Sequence, residues 1–190
     1  MPKSPASPAH KRRPKNAFSQ RFDSRLAAPT FFHLALHFAS AADAYVQTYG
    51  EEADLYMTFF LLGRSFELAL KSALSAEGVA PKLLASRRLG HDLEALTNEC
   101  NAHSIEIVDP AVPDSKWGLR SLNEAYSEKE LEYQERGQAG GPSPALLRQL
   151  VHFALQQAYA RAFGADARSR PLARGTGARA LTLEWRRQYD

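Results

Sequence analysis

Between Leu55 and Ala73 the apolar residues Leu55, Phe59, Leu62, Phe66, Leu70 and Ala73 recur at steps of 4, 3, 4, 4 and 3. An α-helix puts such a series on one face, because 3.6 residues complete a turn. Gly78 and Pro81 stop the pattern. The spacing therefore predicts a helix of about 25 residues, roughly 37 Å long at 1.5 Å per residue. One long apolar face must then be covered by whatever the rest of the chain supplies.

The remaining periodicity is also helical. Phe31, Leu34, Ala35, Phe38, Ala41, Ala42 and Tyr45 predict an earlier helix, with Thr30 as N-cap and Gly50 as stop. Leu89, Leu93 and Leu96 predict a shorter helix from about Arg88 to Ala102. Residues 103–118 contain Pro110, Pro113 and Gly118 and read as a connection, with a short extended piece at Ile105–Val108. A short helix follows at Leu119–Tyr126, then a Gly- and Pro-bearing loop over 130–144. A last helix runs from Pro144 to about Phe163, with Gly164 as its stop. No strand alternation and no repeat of 20 to 50 residues competes. The expected fold is all-α, an up-and-down bundle of four main helices plus a short helix.

Length and charge divide the chain in the same way. Its 190 residues, 44% hydrophobic, suit one domain with a real core. Residues 1–28, rich in Pro, Ser and basic side chains, read as a flexible basic arm, residues 29–163 as the bundle, and residues 164–190 as an Arg-rich tail in which Ala180–Trp185 could dock on the bundle. The formal charge is +6 over residues 1–25, −6 over 26–163 and +3 over 164–190. The basic character thus sits in the ends, which suits weak, unspecific contact with phosphate or an acidic partner. The longest apolar stretch, Met57–Leu62, already contains Thr58, far short of the about 20 residues of a membrane span. The amino terminus has no apolar segment of the secretory type, and Cys100 is the single cysteine, so a reducing, cytoplasmic setting is expected.

Chemistry-bearing residues cluster beside the apolar stripes. Tyr56, Phe60, Gly63, Glu67 and Lys71 form a second stripe on the long helix, and Glu67 and Lys71 are spaced to pair. His91 and Asp92 open the third helix, where His91 could meet Glu67 or Lys71 across two packed helices and titrate near neutrality. His33 and His37 share a face, yet no carboxylate–histidine constellation completes a metal site. Gly137–Gly141 and Gly175-Thr176-Gly177 follow no expected strand and do not make a phosphate loop. Cys100 has His103 nearby but no third partner of a nucleophilic triad. No cofactor or metal is called for.

The series Glu67-x-x-x-Lys71, the breaker at Gly78 and Pro81, then Gly90-His91-Asp92-Leu93-x-x-Leu96, with Leu122-Asn123-x-x-Tyr126 and Leu131-Glu132-Tyr133 downstream, resembles the HEPN domains, over about residues 31–163. The resemblance implies a helical bundle, often paired as a homodimer, from toxin–antitoxin, phage-defence or RNA-processing systems and often beside an antitoxin or nucleotidyltransferase partner. Many HEPN domains are metal-independent endoribonucleases carrying Arg, four to six residues, then His. This chain departs from that motif: Arg87 to His91 and Arg148 to His152 each enclose three residues. Arg148 and His152 nevertheless share a helix face, so the arginine could hold a phosphate while the histidine moved a proton. Other HEPN members bind a nucleotide, RNA or a partner protein. The matching positions here are Glu67, Lys71, Gly90, His91, Asp92 and Tyr133, with Lys71 and Arg88 suited to phosphate and Tyr133 to stacking on a base.

Three functional readings follow. One is a binding module for a nucleotide, RNA or partner protein, using Glu67, Lys71, Arg88, His91, Asp92 and Tyr133. Another is a toxin-like, metal-independent ribonuclease using His91 or His152 with a neighbouring arginine. In the third the polar cluster is architectural, and Glu67→Ala lowers stability by roughly 1–3 kcal/mol through its unpaired partner.

Overall fold

A computed structural model of the chain describes residues 24–50, 53–127 and 141–164. These form six helices: α1 (Ser24–Tyr49), α2 (Leu55–Ala76), α3 (Pro81–Leu84), α4 (Leu93–Ala102), α5 (Ser115–Ser127) and α6 (Pro144–Phe163). No strand occurs among the described residues, and the all-α bundle expected from the periodicity is present. No helix is long and apolar enough to cross a membrane among those residues.

Local chemistry sets the helix ends. Asp54 caps α2 by accepting from the Tyr56 and Met57 amides at 2.7 and 3.3 Å. Ser143 caps α6 through the Leu146 amide at 3.2 Å, with Pro144 in the first turn where its missing N–H is harmless. At the far end of α2, Gly78 adopts φ +89°, which lets the Val79 amide donate back to the Leu74 carbonyl at 3.0 Å.

Several boundaries differ from the expected ones. α1 starts at Ser24, so Pro29 and Thr30 lie inside it and Thr30 is not its cap. Proline forfeits one helical hydrogen bond there. The tertiary structure offsets that loss by burying Ala28 against α2 and donating the Ser72 hydroxyl to the Ala28 carbonyl at 2.8 Å. The third expected helix begins only at Leu93, because Ser86–Asp92 form turns. Residues 81–84 form the four-residue α3 where only a break was expected. Ile105–Val108 is not a strand, although Ile105 and Ile107 are buried. The expected loop over 130–144 lies outside the described residues up to position 140, as do the arm through residue 23 and the tail from 165 onward, including Ala180–Trp185.

The α1–α2 contact rests on small residues seven apart. Ala28, Ala35 and Ala42 on α1, and Thr58, Ser65 and Ser72 on α2, are all buried. Ser65 donates to the Ala35 carbonyl at 2.8 Å, matching the Ser72–Ala28 bond, so the antiparallel register continues with Thr58 beside Ala42. Small side chains bring the two backbones close enough for hydroxyl-to-carbonyl bonds. Opposite that seam, Phe32, Phe59, Leu62, Phe66, Leu150 and Ala154 belong to the shared core. α6 runs antiparallel to α1, with Tyr159 and Phe163 against Phe32 and Arg148 against Asp43. It therefore runs parallel to α2, where Arg161 pairs with Glu77.

Candidate functional site

The second stripe of α2 points away from α1, toward α5 and the turn before α4. Glu67 lies on it with no exposed surface. Burying a carboxylate is tolerable only where charged or hydrogen-bonding partners surround it. Lys71 Nζ donates to Oε1 at 2.5 Å. On Oε2, Arg64 Nη1 donates at 2.8 Å, the Tyr126 hydroxyl donates at 2.5 Å and His91 Nδ1 lies at 3.2 Å. Lys71 also donates to the Gly90 carbonyl at 2.7 Å, which anchors the turn that carries His91.

Each partner arrives for a local reason. Arg64 and Lys71 stand three and four residues from Glu67, the two spacings that stack on a helix face. Tyr126 comes from the last turn of α5 and lies against Gly63, where a Cβ would stand 2.8 Å from ring atom Cδ2. Glycine is required here by the close approach of that ring. His91 meets the Tyr126 ring edge-on, with centroids 6.2 Å apart. Asn123 fixes the α4–α5 junction by accepting from the Leu93 amide at 2.7 Å.

The electrostatics follow from the packing. Burial pushes the Glu67 carboxyl up, but hydrogen bonds from Lys71 and Tyr126 and the charges of Lys71 and Arg64 outweigh it and hold the group below its ordinary range. Tyr126 is pushed upward by burial and by the adjacent carboxylate, so its phenol keeps its proton. Burial opposes the charge on Arg64, and the Glu67 carboxylate and Tyr126 more than restore it. One carboxylate thus faces two cations, leaving the cluster with an excess positive charge. Its inner members are sealed, Lys71 with a side chain 10% exposed, while the Arg64 and His91 side chains are 33% and 60% exposed.

Of the residues singled out from sequence, Glu67, Lys71 and His91 come together and the Gly90 carbonyl joins them. Asp92 does not: its carboxylate turns back to cap α4 through the Ala95 amide at 2.9 Å. Arg88 pairs with Glu99 on α4 instead of lining the cluster. Tyr133 lies outside the described residues. Arg148 is held by Asp43 at 2.7 Å on the α1–α6 side. His152 Nε2 lies 2.9 Å from the Gln156 amide nitrogen, and burial, opposed by Asp43, lowers its affinity for a proton. His33 is likewise lowered by burial and by neighbouring His37. Cys100 is buried and its thiol is pushed up to about 12, chiefly by burial, which leaves it protonated and unreactive at neutral pH. Among the described residues no three His, Cys, Asp or Glu side chains are grouped to hold a metal ion.

Sequence reading missed Arg64 and Tyr126 as members of the site. Arg64 was open to discovery, since it stands one turn before Glu67. Gly63, in the middle of the most regular helix of the chain, signals that something packs close, though not which residue. A scan of protein-family models, a search of curated proteins and a search of solved structures each found no match to this chain.

Proposed function

We propose that the chain is a HEPN-like binding module that takes a phosphate group of a nucleotide or RNA on the rim of the Glu67 cluster formed by the half-buried Arg64 and the exposed His91. One observation carries the reading. With His91 in its Nδ1–H tautomer, Glu67 Oε2 faces three donors, one more than its two in-plane lone pairs, and two of the three belong to side chains that reach solvent, the half-buried Arg64 and the exposed His91. A phosphate can recruit Arg64 and His91 while Lys71 and Tyr126 keep the carboxylate satisfied. Arginine is suited to that exchange because its planar guanidinium offers five donors, and its bonds to Glu67 at 2.8 Å and to the Tyr126 hydroxyl engage only part of them. The acidic balance of residues 26–163 makes the basic rim a local feature, which favours a ligand with one or a few phosphates at this point over a long polyanion lying across the bundle.

The test is titration of fluorescent nucleotides and short RNAs by anisotropy, using the whole chain, Arg64→Ala, His91→Ala and the distant Arg161→Ala. Binding should weaken about tenfold or more in the first two variants, as expected for loss of a charge-assisted contact, and stay unchanged in the third. Folded wild type that binds neither class, or equal binding by all variants, overturns the reading.

A second reading has its own support. Glu67 holds the Nδ1 side of His91, which leaves Nε2 on a side chain 60% exposed. An imidazole oriented by a carboxylate is suited to act as a general base. Nε2 would take the proton of an RNA 2′-hydroxyl, the oxygen would attack phosphorus, and the 5′-oxygen would leave with a proton from water, giving a 2′,3′-cyclic phosphate. RNA cleavage in EDTA by wild type, lost in His91→Ala and kept in His152→Ala, supports it. Absence of cleavage across several RNAs removes it and leaves the binding module standing.

A further inference from the structure

One turn before Arg64 the outer edge of α2 becomes an apolar ledge, and from it we infer that the ligand of the rim is a purine nucleotide, with its phosphate on Arg64 and His91 and its base laid flat on Phe60 and Met57. The inference rests on the phosphate reading above and names the rest of the ligand. On a helix that turns about 100° per residue, Met57, Phe60 and Arg64 lie within about 60° of one another, so they share one edge. Phe60 stands four residues before Arg64, about 6 Å along the axis, and Met57 seven residues before it, about 10 Å. Met57 is 46% exposed, although it is a large apolar side chain. Phe60 is half-buried and packs against the core, as do its neighbours Tyr56 and Leu61, so its ring is held in place before any ligand arrives. Tyr126, in the last turn of α5, meets α2 at Gly63, and the ledge lies on the N-terminal side of that contact.

The chemistry of the ledge identifies what it takes. A bare phosphate engages Arg64 and His91 and leaves Phe60 and Met57 unused. A 5′-nucleotide carries its phosphate and its base at the two ends of one ribose, which matches a cation and an aromatic ring one helical turn apart. A base stacks on the face of phenylalanine, and a methionine sulfur packs favourably against an aromatic ring. Phe60 has no hydrogen-bonding group and Met57 only a weakly accepting thioether, so neither reads the edge of a base. Stacked area decides instead, and it favours the larger purine ring over a pyrimidine.

Isothermal titration of the full chain with AMP, UMP and ribose 5-phosphate tests this, using wild type, Phe60→Leu, Met57→Gln and, as a control, Leu83→Gln. Leu83 is 40% exposed but lies on α3, beyond the C-terminal end of α2. Thermal melting first confirms that each variant is folded; Met57→Gln changes only an exposed side chain. The expected order in wild type is AMP tighter than UMP, and UMP tighter than ribose 5-phosphate. AMP binding should weaken about tenfold in Phe60→Leu and about threefold in Met57→Gln, as loss of a stacking platform requires, and stay unchanged in Leu83→Gln. Ribose 5-phosphate, which has no base, should bind all four proteins alike. Ribose 5-phosphate bound as tightly as AMP, UMP bound as tightly as AMP, or AMP bound equally by Phe60→Leu, Met57→Gln and wild type each overturns the inference while the phosphate reading stands. Wild type that binds none of the three overturns the inference as well, and the RNA titration above then decides the phosphate reading by itself.

Discussion

Replacing Glu67 by alanine tests the physical account of the site most directly. The change removes the acceptor for four groups at once. Lys71 Nζ keeps only the Gly90 carbonyl at 2.7 Å, and the Tyr126 hydroxyl loses its 2.5 Å bond to Oε2. Arg64 and His91 can turn to water, because their side chains are 33% and 60% exposed. The cost therefore falls on the two sealed donors. Removing one partner of a buried ion pair costs about 3–5 kcal/mol, and an orphaned buried hydroxyl about 1–3 kcal/mol; the two overlap, since a water admitted to the cavity serves both. The expected loss is about 4 kcal/mol, above the 1–3 kcal/mol that sequence alone suggests for an architectural pair, and a large share of the 5–15 kcal/mol typical of a domain. Urea unfolding followed by circular dichroism at pH 7 measures it. Glu67→Leu combined with Lys71→Met should cost less than Glu67→Leu alone, because no ammonium is left stranded. A loss below about 1 kcal/mol for Glu67→Ala, or additive costs in the double variant, would refute the reasoning. Glu67 also sets an acid limit: its folded-state affinity for protons is lower than in the unfolded chain, so its contribution is complete above about pH 4.5 and fades as the pH falls through the lower folded value. Glu67→Gln should flatten that decline.

Three further outcomes follow from the packing. Gly63→Ala would put a Cβ 2.8 Å from the Tyr126 ring; overpacking of about 1–3 kcal/mol exceeds the up to about 1 kcal/mol gained in helix propensity. Chemical denaturation should therefore show Gly63→Ala less stable than wild type, with the penalty gone in a Tyr126→Ala background. Ala35→Leu would wedge three carbons into the α1–α2 seam and force apart the 2.8 Å Ser65–Ala35 bond, lowering stability by about 1–3 kcal/mol, whereas Ala41→Leu on the exposed edge should change it by less than about 0.5 kcal/mol. His33 and His152 both bind protons more weakly folded than unfolded, so their stabilisation is complete above about pH 6.5 and is lost as the pH falls below it toward the lower folded values. Melting temperatures at pH 7.5 and 5.5 should differ less in His33→Gln/His152→Gln than in wild type, and an equal difference would show that these imidazoles are not coupled to folding.

How much of this was legible depends on how far apart in sequence the cause lies. The 4, 3, 4, 4, 3 series announced α2, and the Glu67–Lys71 spacing announced their pair, because both are properties of one helix. The Thr30 cap failed for the same reason: the penalty of carrying Pro29 inside a helix is local and real, but the bond that offsets it comes from Ser72, 44 residues away. The Ala28–Ala35–Ala42 and Thr58–Ser65–Ser72 rows were visible as seven-residue spacings, yet a hydrophobic pattern gives serine no weight. Asp92 shows a different limit. A residue beside a histidine at a helix start is spaced to cap that helix as well as to reach a neighbour, and the local bond to the Ala95 amide won. Glu67 itself lies between the two cases. A carboxylate on the flank of an apolar stripe needs partners only where packing takes it out of water, so the sequence marks the place and the fold decides that Glu67 is buried. Arg64 and Lys71 could be named from the helix, His91 from one packed neighbour, and Tyr126 only from the fold, since 59 residues separate it from Glu67. The composition of the site is then decided by depth. The donors nearest in the core, Lys71 and Tyr126, hold the carboxylate permanently, whether four or 59 residues away in sequence. Arg64 and His91 meet Oε2 from the solvent side, and they are the members with something left to offer a ligand.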